Sequence, residues 1–306
     1  QFAPPFRSSF RKMSENKTPA PINPYKALLE TCVASGVSRA NQSFLQTLLM
    51  TFLAGAYIAL GGFLAVRCGL GLSWDQWGSM GKFVFAAVFP LGLILTVICG
   101  ADLFTGNAMT LTSARINNRV DWLAVLRSWT FAWLGNFIGA LFVAYFLVWA
   151  TGIIFEKVPT AAGVAAMPWA EGLVKLANGK TSLTFGEAFW RGVGCNWLVC
   201  LAVYLSYAAK DIAGKILALW FPTMAFVAMG MEHCIANMFF IPAAIFAGSD
   251  PRYVELVNTG AAVPLTADWS KFFIDNLPAV TLGNIVGGAV LVAVIYCLIH
   301  GKLRNS

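Results

Sequence analysis

Gly100-Ala101-Asp102-Leu103-Phe104-Thr105-Gly106-Asn107 interrupts an apolar stretch that runs from 83 to 111, and Gly230-Met231-Glu232-His233-Cys234-Ile235-Ala236-Asn237 interrupts a second, from 212 to 246. Both fit G-x-[DE]-x4-N. A charge in the middle of a block long enough to cross a membrane costs roughly 2.5–3.5 kcal/mol on insertion scales, so it is kept where it is paired or used. Irregular backbone at that depth persists only when buried in protein or facing a polar cavity, because lipid cannot satisfy its free N–H and C=O groups.

The flanks of these breaks repeat as well. Phe89-Pro90 precedes the first and Phe221-Pro222 the second; Leu134-Gly135-Asn136-Phe137-Ile138-Gly139 follows the first and Leu282-Gly283-Asn284-Ile285-Val286-Gly287 the second, both reading L-G-N-x-[IV]-G. Three landmarks in one order are an internal duplication. A bilayer core of ~30 Å needs about 20 apolar helical residues, and four further blocks meet that length without interruption, near 44–66, 122–155, 192–208 and 277–299. Six spans result, three per half, so the second half enters from the opposite side. The expected fold is an all-α membrane protein, a six-transmembrane-helix bundle built from an inverted 3+3 repeat with broken second and fifth helices. The expected divisions are a leading segment with a surface helix (1–43), a first three-helix repeat (44–155), an external connection (156–191), a second repeat (192–300) and a tail (301–306).

Composition agrees. Of 306 residues 58% are hydrophobic and 11% charged, against roughly 25% charged in soluble domains, and the mean hydropathy is +0.69. Disorder, a disulfide scaffold and a free-standing nucleic-acid-binding domain are excluded. The net charge of +7 is read as topology. With both termini cytoplasmic, that side gathers Arg7, Arg11, Lys12, Lys17, Lys26, Arg39, Arg115, Arg119, Lys210, Lys215, Lys302 and Arg304 against only Glu15, Glu30, Asp121 and Asp211, while bases on the other side are matched by acids. The expected location is the cytoplasmic (inner) membrane, multi-pass. Asn23-Pro24 reads as an N-cap and first turn of a surface helix through Tyr25, Leu28, Leu29, Cys32 and Val33. Residues 1–12, basic and free of acids, read as an added leader ahead of a start at Met13 or, as the alternative, a targeting segment, and no cleavable signal is expected.

Seven cysteines are scattered singly, with no C-x-x-C and no His/Cys cluster, and read as small buried residues; no metal and no cofactor are expected. Half-helices starting inside the membrane present N–H groups and the positive end of a dipole, which favours an anion. Asn107 and Asn237 suit the caps. Asp102 and Glu232, related by the repeat, read as anchors for loop N–H groups or neighbouring helices. His233 has no counterpart in the first half, where Leu103 stands, and that asymmetry marks it for chemistry. Thr105 is either a cap or a hydroxyl partner of His233 or of a passing solute. The bulky Phe89, Leu93, Leu103, Phe104, Val199 and Phe226 are read either as constrictions or as core packing. The Gly135/Gly139 and Gly283/Gly287 spacings fit helix packing within or between subunits.

The runs Leu91-Gly92-Leu93-Ile94-Leu95 with Gly100 through Thr105, Cys195-Asn196-Trp197-Leu198-Val199-Cys200-Leu201-Ala202-Val203, and Glu232-His233-Cys234-Ile235-Ala236-Asn237-Met238 resemble the formate/nitrite transporter family over about residues 24–300. The resemblance implies an aquaporin-like bundle, a homopentamer with one pore per protomer, and passage of small monovalent anions or their acids. It implies further that His233 and Thr105 form a central polar site supported by Asn196 and Asn237. Phe89, Phe104 and Val199 would make an outer constriction, Leu93, Leu103 and Phe226 an inner one, and Lys180 would attract anions. Asp102 and the run from Glu232 to Pro242 resemble formate members; nitrite, hydrosulfide and lactate-type monocarboxylates are the alternatives. In an apolar pore a resting imidazole is expected neutral, and an arriving anion favours its charged form, so the expected partners are a small anion and a proton. A neutral-solute channel for water or glycerol is less favoured without Asn-Pro-Ala breaks, and an enzyme is not expected in the absence of H-E-x-x-H or G-x-S-x-G.

Overall fold

A computed structural model of the protein describes residues 25–159 and 165–300. The readings of residues 1–12, of Asn23-Pro24 and of the tail at 301–306 lie outside the described residues. Among the described residues, eleven helices of eight or more residues follow in order: α1 (Tyr25–Ala40), α2 (Phe44–Gly69), α3 (Met80–Ile98), α4 (Phe104–Ile116), α5 (Trp122–Trp149), α6 (Pro168–Thr181), α7 (Phe185–Ala208), α8 (Ile212–Ala228), α9 (Cys234–Gly248), α10 (Pro251–Asn258) and α11 (Lys271–His300). Helices α2, α3, α5, α7 and α11 are each long and apolar enough to cross a membrane. The bent pair α9 and α10, which meet at 69°, makes a sixth pass if counted as one span, and α8 before it is a shorter apolar helix.

Local chemistry sets the ends of these helices. Ser43 caps α2 through Gln46 N–H, Asp121 caps α5 through Ala124 N–H, and Asp211 caps α8 through Gly214 N–H. The fourth span begins at Phe185, seven residues before the apolar block at 192, because Thr184 and Glu187 form a reciprocal capping box. The third span ends at Trp149 and not at Phe155, since Gly152 turns the chain at φ +73° into a short 3-10 turn, Ile153–Phe155. A two-residue antiparallel pairing, Val158 and Pro159 with Ala166 and Ala165, closes the loop that follows.

The bundle carries large apolar side chains on its outside, among them Leu298, Leu123, Ile274, Phe44 and Ile138. Its interior holds buried asparagines, threonines and carboxylates. A protein whose solvent is hydrocarbon can carry apolar side chains outside and must satisfy its polar groups within, beside the apolar core. Helices pack at the glycine spacings inside the chain: a Cβ on Gly139 would strike the Phe52 carbonyl oxygen of α2, and one on Gly287 the Val193 carbonyl oxygen of α7. Helix α1 lays Leu29, Cys32 and Val33 on α4, with the Cys32 thiol 3.6 Å from the Ser113 hydroxyl. The connection between the halves contributes a second such helix, α6, packed on α9.

Candidate functional site

Each break is built the same way. Gly100 (φ +80°) and Gly230 (φ +75°) occupy the left-handed region that ends α3 and α8, a conformation that costs glycine no Cβ clash. The next N–H reaches back five residues, Ala101 to the Thr96 carbonyl at 2.8 Å and Met231 to the Phe226 carbonyl at 3.0 Å. Asp102 N–H then donates to the Met50 carbonyl of α2 and Glu232 N–H to the Arg191 carbonyl of α7. Leu103 and His233 are extended, and the half-helices α4 and α9 start directly after them.

The asparagines of the two L-G-N-x-[IV]-G motifs satisfy these breaks. Asn136 Oδ1 accepts Phe104 N–H at 2.9 Å while its Nδ2 donates to the Thr51 and Asp102 carbonyls. Asn284 Oδ1 accepts Cys234 N–H at 2.9 Å while its Nδ2 donates to the Gly192 and Glu232 carbonyls. Each thus holds three backbone groups that hydrocarbon would leave unpaired. The repeated motif is visible in the sequence, where its glycine spacing reads as helix packing. Asn196 binds the halves to each other, its Nδ2 donating to the Thr105 carbonyl at 3.0 Å and the Asn284 carbonyl at 2.6 Å.

The carboxylates pair with bases from the surface helices. Arg39 of α1 lies 3.0 Å from Asp102, and Lys180 of α6 lies 2.8 Å from Glu232. Arg39 and Lys180 each stand four residues before the hydroxyl N-cap of the next span, Ser43 or Thr184, so the duplication includes a surface helix in each half. In the sequence alone Arg39 is one of the cytoplasmic-side bases and nothing local marks its partner. Asn237 does not cap its half-helix; its Nδ2 donates to Glu232 Oε2 at 2.7 Å and to Asn276 Oδ1 at 2.8 Å. Asn276 in turn donates to the Lys180 carbonyl. Asn107 is fully buried, and its side-chain amide finds no hydrogen-bond partner among the described residues.

His233 is itself the N-cap of α9. Its Nδ1 accepts Ala236 N–H at 3.0 Å, and its Nε2 lies 3.0 Å from Thr105 Oγ1 across the bundle. An N–H donor at Nδ1 requires a lone pair there, so the neutral ring in this arrangement carries its proton on Nε2, facing Thr105. Two cavities approach this pair from opposite faces. One, of about 890 Å³, opens on the face that carries α6 and is floored by Phe89, Phe226 and His233, with Lys82, Lys180 and Phe240 on its walls. The other, of about 490 Å³, opens on the face that carries α1 and ends on Leu93 and Leu103, with Arg39, Thr96 and Lys215 on its walls.

The apolar residues fall differently from the expected grouping. Leu93 and Leu103 lie together on the α1-side cavity. Phe226, grouped with them, faces the α6-side cavity instead, edge-on to Phe89 at 6.0 Å and stacked on the His233 ring at 5.9 Å. It precedes Gly230 by one helical turn and therefore rides above the break. Phe104, grouped with Phe89, turns its ring to Trp129 at 6.4 Å, because its own N–H is drawn to Asn136. Val199 is buried on α7, and neither it nor Phe104 is on a wall of either cavity.

Residues 26–298 match the Formate/nitrite transporter family. The chain belongs to this family. The formate/nitrite transporter fold is shared with two solved structures. An "FNT family ion channel" superposes with a TM-score of 0.74 at 28% identity, over 89% of this chain and 98% of that one. A "Pentameric formate channel with formate bound" superposes at 0.71 with 31% identity, over 84% and 97%. Among formate/nitrite transporter relatives, a probable formate transporter of Methanothermobacter thermautotrophicus is 48% identical over 258 residues, 82% of this chain and 87% of its own length. The formate channel FocA of Escherichia coli K12 is 34% identical over 285 residues, 91% and 96%. The protein is a multi-pass membrane protein of a family of transporters and channels.

Proposed function

We propose that the chain passes formate across the cytoplasmic membrane between Thr105 and His233, with a proton supplied at the ring. The observation that carries the proposal is the 3.0 Å contact between Thr105 Oγ1 and His233 Nε2, set between two cavities that open on opposite faces. Relatives named for formate and a neighbour described with formate bound support the substrate. That neighbour is pentameric, and the apolar outer face of this bundle suits contact with four further copies as well as with lipid. The charge asymmetry of the loops supports a cytoplasmic position for α1 and both termini.

An anion reaching the floor of the α6-side cavity meets two donors, the Thr105 hydroxyl and the His233 Nε2–H. Phe89 and Phe226 on one side and Leu93 and Leu103 on the other remove its water, and Leu93 and Leu103 present no polar group in exchange. A neutral acid avoids that desolvation. For the ring to supply the proton it must first be charged, which puts a proton on Nδ1 and displaces the Ala236 N–H. Passing the Nε2 proton to the carboxylate then leaves formic acid and a neutral ring, which regains its proton from bulk water. Loss of an N-cap bond costs about 0.5–2 kcal/mol, so proton supply is linked to the first turn of α9.

The test is flux into proteoliposomes of the purified protein, reading internal pH and membrane potential after pulses of formate, nitrite and hydrosulfide at external pH 5 and 7.5. Internal acidification with little change of potential, strongest at pH 5 and for formate, is the expected result. Charge movement without acidification would remove the proton from the proposal, and a stronger response to nitrite or hydrosulfide would replace the substrate.

A further inference from the structure

Lys180, the residue expected to attract anions, is already neutralised by Glu232, and Arg39, its counterpart in the first half, by Asp102. Each broken span carries another lysine near its outer end. Lys82 stands eight residues before Pro90 on α3 and Lys215 seven before Pro222 on α8, so the inverted repeat sends them to opposite faces. Lys82 is on the wall of the α6-side cavity, its Nζ 4.0 Å from the point where a Cβ on Gly230 would lie, directly over the second break. Lys215 is on the wall of the α1-side cavity with the hydroxyls of Ser35, Ser38, Thr96 and Thr110. Neither lysine has an ion-pair partner among the described residues; no carboxylate lines the α1-side cavity among them, while Asp75, Glu171 and Glu232 line the α6-side one, the last two paired with Lys175 and Lys180. Arg191, which also lines the wider cavity, shares its helix and its field with Glu187.

We infer that Lys82 and Lys215 are the anion-capture residues of the two mouths, one for each face, while Lys180 and Arg39 serve to hold the breaks. A cleft with low-dielectric walls focuses the field of an unpaired charge and concentrates counter-ions. A paired charge 2.8 Å from its carboxylate presents mainly a dipole. The inference rests on the functional reading above, and it adds which cations address the anion from each side.

The experiment uses the full-length protein in vesicles of one orientation, with formate or nitrite as the probe. A passive pore gives equal fluxes both ways at equal dilute concentrations, so sidedness is read from saturation. Lys82→Cys is expected to raise the half-saturation concentration on the α6 face about two- to five-fold at low ionic strength and to leave the other face unchanged. Lys215→Cys is expected to do the reverse, and both effects shrink at about 0.5 M salt. A membrane-impermeant cationic thiol reagent added on the lysine's own face restores the charge and the wild-type value; an anionic reagent of the same size does not. The untreated and treated wild-type protein supplies the background from the exposed Cys68 and Cys99. Half-saturation unmoved by either substitution while wild type conducts overturns this inference alone. Wild type passing neither anion overturns the functional reading and this inference with it.

Discussion

Replacing His233 by asparagine separates what the two ring nitrogens do. Nδ1 accepts Ala236 N–H and Nε2 faces Thr105, each at 3.0 Å. Asparagine ranks among the best N-cap residues, so its Oδ1 takes over the Ala236 contact and stability is expected to change by only a few tenths of a kcal/mol, whereas His233→Leu loses the cap at about 0.5–2 kcal/mol. What asparagine lacks is any group that can hand over a proton. The assay is accumulation of labelled formate in vesicles at equal pH on both sides, with a potassium diffusion potential of about 100 mV, inside negative. Formate that travels with a proton carries no net charge and equalises. Bare formate is held out by about 2.3 kcal/mol, close to a 50-fold lower internal concentration. Wild type is therefore expected near equality and His233→Asn near 50-fold exclusion, with the same thermal midpoint. An asparagine variant that equalises formate as wild type does, after subtraction of the leak in protein-free vesicles, refutes the proton-supply argument.

Asn284→Leu leaves Cys234 N–H and the Gly192 and Glu232 carbonyls unpaired. At about 1–3 kcal/mol per buried group the loss should be at least 3 kcal/mol in a detergent unfolding titration, and Asn136→Leu should match it through the first break. Lys180→Met strands a buried carboxylate, since the Lys180 and Glu232 side chains are 12% and 4% exposed; the single change should cost about 3–5 kcal/mol, and adding Glu232→Gln should recover most of it. A double-mutant cycle on thermal midpoints reads this directly, and additivity of the two changes would contradict it. Outside the spans, the Arg252 guanidinium hydrogen-bonded to Asp250 holds that carboxyl below the usual aspartate range. A depressed folded value contributes stability above the unfolded value of about 3.9 and loses it as pH falls through the folded value. The effect should be at most about 1 kcal/mol because Arg252 is half exposed, and Asp250→Asn should flatten that part of the stability profile.

The sequence by itself determined the architecture, because its signals are local. Twenty apolar residues in a row span a bilayer wherever they stand, a polar G-x-[DE]-x4-N cluster inside such a row forces a break, and landmarks repeated in order fix an inverted 3+3 repeat. It also placed His233 and Thr105 in matching breaks. The start of the fourth span was equally legible in Thr184 and Glu187, a capping box hidden by the weaker apolarity of the residues before 192.

Only the tertiary structure decided which side chains meet. Asn136 reaches Phe104 across 32 residues, Arg39 reaches Asp102 across 63 and Thr105 reaches His233 across 128, and no local periodicity encodes those distances. Asn107 and Asn237 had the right residue type for caps, yet the caps come from His233 and from asparagines on α5 and α11, since an acceptor must lie in line with the first free N–H of a half-helix. The side to which Phe226 and Phe104 turn was decided in the same way. A break with one left-handed glycine reorients the chain on either side of it, so the direction of each ring follows from backbone geometry and from the helix packed against it, neither of which is written in the residue's own neighbourhood.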